Sequence, residues 1–253
     1  MSLQAPQPTA LARAPITPAD LLLLLIVNLG IMRIAGLLIG GMLGFAQGGR
    51  EGAGNETAVL ISTLLLILFQ ALVMLGSLRA LILQKYGLTW ADLGFRPAPR
   101  IWYRRAVMVG VAMIPAVLMI NAAVPKLIQE PFENPQIMAL APAGFSWFAL
   151  IGMTLMGGIV APIAEEAAFR GLVYAWLRGR MAFPAAALLS AVCFACLHGV
   201  VVLIPALTAV GFVLAWVKER CDSILPAIVT HGTFNIVMIL SLYLALSIGA
   251  GKA

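Results

Sequence analysis

Residues 144–178 read GFSWFALIGMTLMGGIVAPIAEEAAFRGLVYAWLR. Before the closing Arg178, the only charged side chains in this run are Glu165, Glu166 and Arg170. A helix of about 35 residues rises roughly 50 Å, more than the ~30 Å hydrocarbon core of a bilayer requires. Charged groups inside such a helix are costly and usually mark function. One stretch therefore indicates both the fold class and the place to look for chemistry.

The rest of the chain agrees. Of 253 residues, 62% are hydrophobic and only 10% charged, with a mean hydropathy of +1.02. A soluble domain would carry about a quarter charged residues. Seven apolar segments are expected, at about 20–46, 57–84, 105–125, 144–178, 183–200, 202–217 and 224–248. The fold expected is an all-α polytopic membrane bundle of about seven transmembrane helices, one integral domain over 19–253 with its catalytic core at 144–240. The fifth and sixth segments are short, and the apolar link from Gly199 to Pro205 makes them a hairpin that stops before the far face. Residues 1–18, polar and rich in Pro and Ala, read as a disordered cytoplasmic tail rather than a signal peptide.

The net charge of +6 belongs to membrane orientation, not to nucleic-acid binding. With the N-terminus inside, the inner segments hold ten Lys and Arg and the outer ones three, with Arg33, Arg79 and Arg170 inside helices. This favours N-inside. The excess of Arg over Lys, twelve to four, suggests a bacterial chain and hence the plasma membrane. In the inner loop from Lys85 to Arg105, Trp90, Leu93 and Phe95 read as an interfacial anchor, with the arginines facing anionic lipid. The outer loop, Lys126 to Pro142, reads as a turn-filled connection. Arg33 is expected to pair with a carboxylate of the site or with backbone carbonyls. Asn28 and Asn121 read as interhelical hydrogen-bonders. Cys193 and Cys196 read as small apolar helix residues, with no disulfide framework.

Three fragments carry the chemistry. On a helix, Glu166 and Arg170 lie one turn apart and share a face, while Glu165 points about 100° away. One carboxylate pairs with the guanidinium and the other faces a cavity. A carboxyl group in apolar surroundings beside a like charge is the setting in which a general acid or base works near neutral pH. The chain has only two histidines, His198 and His231. Measured from the inner boundary of each helix, Glu166, His198 and His231 lie roughly 18, 22 and 13 Å deep. Three different helices therefore bring titratable groups towards one level. Asn235 lies one turn after His231, so an imidazole and an amide can donate to a single oxyanion.

Glu165-Glu166-x-x-x-Arg170, Phe194-x-x-x-His198 and His231-x-x-x-Asn235, in this order on membrane helices, resemble the CPBP family. That family includes the CAAX prenyl endopeptidases of the Rce1 type and bacteriocin-processing or immunity relatives. The resemblance covers about residues 144–240. It implies an intramembrane endopeptidase acting on a membrane-associated peptide or protein. Glu165 would activate the attacking water, with His198 helping to hold it. His231 and Asn235 would stabilise the oxyanion, Glu166 with Arg170 would fix the glutamate-bearing helix, and Phe194 would pack beside His198. There is no His-Glu-x-x-His zinc motif. A water activated without obligatory metal is favoured, and a divalent metal such as zinc on Glu165, His198 and His231 is the alternative. A catalytically silent immunity or scaffold protein with a membrane partner is the rival reading. A proton-coupled transporter is a third, weakened by the lack of a repeated half. Gly157, Gly158 and Pro162, just before the glutamates, suggest either a kink opening a cavity or tight helix packing.

Overall fold

A computed structural model of the chain describes residues 11, 14–46, 56–129 and 145–250. Every regular element among these residues is helical. The seven main helices are α1 (Pro18–Ala46), α2 (Glu56–Tyr86), α3 (Arg100–Ile128), α4 (Trp147–Arg178), α5 (Phe183–Leu197), α6 (Ile204–Cys221) and α7 (Leu225–Ala250). Among the described residues, six stretches are long and apolar enough to cross a bilayer, and α5, with 15 residues, is not. At 1.5 Å per residue α5 reaches about 22 Å. The chain is an integral membrane protein built as a polytopic helical bundle.

The hairpin is short in one limb only. A 3-10 turn at Val201–Leu203 leads into α6, and together they form a 21-residue stretch long enough to span. The apolar link read as a turn is thus partly the beginning of the next helix. Gly199, with φ +72°, stops α5 directly after His198, the left-handed step that commonly closes a helix.

The end of the supposed tail is ordered. Leu11 and Ile16 are buried against Leu78, Ile82 and Leu93. Thr17 caps α1: its hydroxyl and N–H both donate to Asp20, and Asp20 N–H returns to the hydroxyl. Pro18 fills the first helical position, where no N–H is needed. Residues 1–10 of that tail, and the outer loop from 130 to 142, lie outside the described residues.

One face collects the polar ends of the helices. Asp20 of α1 pairs with Lys85 of α2, and Trp176 and Arg180, at and just after the end of α4, donate to the carbonyl of Ile16. Arg178 of α4 pairs with Glu219 of α6, and Arg96 with Asp222 between α6 and α7. The loop before α3 packs into this assembly, with Trp90 and Phe95 left partly exposed. Leu93 is buried, Trp90 packs edge-on against Phe95 at 5.6 Å, and Gly94 accepts a hydrogen bond from Ile224 N–H. Thr89 donates to Asp92 through both N–H and hydroxyl, holding that carboxyl below the usual range. Arg100, Arg104 and Arg105 do remain exposed.

The outward surface is apolar, with Leu22, Ile34, Leu37, Leu72 and Met119 among its exposed side chains. Lipid tails are as apolar as leucine, so close packing and hydrogen bonds must hold the helices together. Asn28 joins α1 to α2 through Ser77, as expected, whereas Oδ1 of Asn121 is buried without a partner. Arg33 is exposed on α1 and pairs with neither Glu165 nor Glu166. Cys193 and Cys196 are free and exposed on α5.

Candidate active site

The site is built on irregularities in α4. Pro162 has no N–H to give to the carbonyl of Gly158. One residue earlier, Ala161 N–H reaches back to Met156 instead of Gly157. The helix is therefore π-wound at Met156–Val160, and again at Ala167–Tyr174, with a short α segment, Ala161–Glu166, between. Such π turns often mark functional sites. Here the first one frees the carbonyl of Gly157, and Asn235 Nδ2 of α7 donates to it at 2.8 Å.

Close approach then sets the α4–α7 spacing. A Cβ on Gly232 would lie 2.6 Å from the Gly158 carbonyl oxygen, and a Cβ on Gly158 would lie 2.5 Å from Ile236. Of the two readings of the glycine-proline segment, tight packing is the one seen, and the helix beside it is π-wound. Only glycines allow α7 to come this near, and His231 is the neighbour of Gly232.

His231 is 4% exposed and Glu166 is fully buried. Glu166 Oε1 receives Arg170 Nη1 at 3.0 Å and lies 2.9 Å from His231 Nδ1. Arginine is always a donor, so Glu166 Oε1 accepts from it, and that shared acceptor assigns the imidazole hydrogen to Nδ1. The other imidazole nitrogen, Nε2, then faces Glu165 Oε2 at 3.8 Å. Arg170 also donates to the carbonyl of Gly211 on α6, and Gly211 sits against Ala191 of α5, where a Cβ would be 2.9 Å away. Arg170 thus ties α4 to α6 while it neutralises Glu166.

The ring of Phe194 links the two histidines. Its centroid is 4.6 Å from that of His198 and 5.8 Å from that of His231, and the Arg170 guanidinium stands 4.6 Å above it. His198 Nδ1 is 2.8 Å from the carbonyl of Phe194, which can only accept, so His198 Nδ1 also carries the hydrogen. Each histidine therefore presents Nε2.

Glu165 keeps 19% of its side chain exposed. It lines a small cavity of about 10 Å³ with Ile67, Gln70, Ala71 and Met74 of α2. That is close to the least space that holds one water. Gln70 went unnoticed in the sequence, although an amide in the apolar run ILFQALVM is a visible signal.

All six expected residues thus lie on α4, α7 and the end of α5. The structure joins Glu165, Glu166, Arg170 and His231 by direct polar contacts, adds His198 through Phe194, and turns one amide hydrogen of Asn235 towards Gly157. Among the described residues, no group of three His, Cys, Asp or Glu side chains stands close enough to hold a metal, so Glu165, His198 and His231 do not form a ready cluster.

Residues 146–237 match the family model for Rce1-like proteins, described as type II CAAX prenyl endopeptidases. The matched stretch holds all six site residues. No curated protein and no solved structure matches the chain.

Proposed function

The chain carries an Rce1-like domain in a membrane-embedded bundle, and on that premise we propose that it is an intramembrane endopeptidase. Its substrate is a membrane-associated peptide or protein, cleaved by a water activated between glutamate and histidine. The observation that carries this reading is the Glu165–His231 approach at 3.8 Å, with Glu165 also lining, against α2, a cavity of about one water.

In the proposed sequence, Glu165 removes a proton from the water as its oxygen attacks the substrate carbonyl. His198 Nε2 orients that water. His231 is held by Glu166 from behind, and in its doubly protonated form it donates from Nε2 to the oxyanion. Two carboxylates, one guanidinium and one imidazolium make this cluster neutral overall, which suits a buried site. Asn235 adds its second amide hydrogen. Collapse of the intermediate breaks the C–N bond, and the proton held by Glu165 passes to the leaving nitrogen. Glu166 and Arg170 are positioning residues. No step requires a metal. We place the protein in a bacterial plasma membrane with the N-terminus inside, and substrate entry at the arginine-rich face.

The test compares membranes from cells producing the wild type, Glu165→Gln or His231→Ala. Mass spectrometry of new peptide termini should find a set present only with the wild type, at equal protein levels and thermal stability. Identical termini in all three would overturn the protease reading and leave a silent scaffold or immunity protein.

A further inference from the structure

Away from the catalytic cluster, α3 and α6 leave a crevice of about 390 Å³ at the arginine-rich face. Its walls are Trp102, Arg105, Met108 and Val109 of α3 with Trp216 and Arg220 of α6. The two indoles meet edge-on at 6.2 Å. Arg105 stands 5.2 Å over the Trp102 ring and Arg220 5.7 Å over that of Trp216. We propose that this crevice binds an anionic phospholipid, its phosphate between Arg105 and Arg220 and its acyl chain along Met108 and Val109.

Charge and polarity both support that occupant. The nearby carboxylates are taken: Glu219 by Tyr174 and Arg178, Asp222 by Arg96 and Lys218. No ion pair is formed by Arg105 or Arg220 among the described residues, so an anion from outside completes the site. Guanidinium groups match phosphate oxygens in a planar fork. Tryptophan favours the headgroup level, and basic pockets between helices at that level suit anionic lipid. One turn deeper the wall turns apolar, and Met108 is 70% exposed to the region of acyl chains. The crevice also faces away from the chemistry. The flank of α7 that meets α3 presents Thr230 and Thr233 to Gly110, while His231 and Asn235 point at α4.

The test uses the full chain purified in neutral detergent. Native mass spectrometry should show phosphatidylglycerol bound at least ten-fold more tightly than phosphatidylcholine. The Arg105→Gln/Arg220→Gln variant should lose that preference. Arg100→Gln/Arg104→Gln removes the same charge outside the crevice and should keep it. A dibrominated phosphatidylglycerol should quench wild-type tryptophan fluorescence more than dibrominated phosphatidylcholine does, and Trp102→Phe/Trp216→Phe should abolish the excess. This measurement stands even if the arginine variant does not fold. Equal binding of both lipids, a preference retained without Arg105 and Arg220, or displacement of the lipid by millimolar inorganic phosphate would overturn the proposal.

Discussion

Glu166 is fully buried, and two donors converge on one of its oxygens. Removing one partner of a buried pair costs about 3–5 kcal/mol, because the other charge is stranded. Arg170→Met should therefore lower stability by about that much, read as the unfolding midpoint in detergent. Glu166→Gln combined with Arg170→Met should recover a large part of it; no recovery would mean that the guanidinium acts mainly through Gly211. Asn235 separates two roles in the same way. If its spare amide hydrogen serves the oxyanion, Asn235→Ala should lower kcat by about 10²–10³ in a cleavage assay. If it only caps Gly157, stability should fall while kcat holds. Because the proposed proton transfers use Glu165 alone and the oxyanion is met by hydrogen-bond donors, treatment with a chelator should leave cleavage intact, and metal analysis of the purified protein should find less than one ion per chain.

At the scale of elements, the π turns of α4 and the glycine crossing with α7 set the distance between Glu165 and His231. Gly232→Ala places a methyl 2.6 Å from a carbonyl oxygen that cannot move aside. Overpacking of this kind costs about 1–3 kcal/mol. Cleavage should fall further than that loss of stability accounts for, because α7 carries His231 away from α4. Gly76→Ala on α2, with nothing within 4 Å, is the control and should leave both quantities unchanged. Circular dichroism and the unfolding midpoint report the first effect and kcat the second. These crossings were half-legible: Gly157, Gly158 and Pro162 announced an irregular helix. The carbonyl that the irregularity frees depends on which N–H skips a residue, and composition does not report that.

At the scale of the molecule, the positively charged helix ends share one face, tied by the pairs Asp20–Lys85, Arg178–Glu219 and Arg96–Asp222. With the native cysteines replaced, a cysteine at Arg104 should react with a membrane-impermeant maleimide only in inside-out vesicles, and one at Arg50 only in right-side-out vesicles. The reverse pattern would invert the proposed orientation.

Membrane embedding, helix number and the identity of the polar residues were all decided by the sequence alone, because a bilayer demands long apolar helices and makes each buried charge conspicuous. Only the tertiary structure decided what each group faces. It set His231 between two glutamates, gave one hydrogen of Asn235 to Gly157, brought Gln70 to the cavity at Glu165, and drew Leu11 and Ile16 into the core. Those outcomes rest on helix rotation and on crossings a few ångströms apart. Several packings share the same apolar pattern, and the contacts between particular glycines and side chains select one of them.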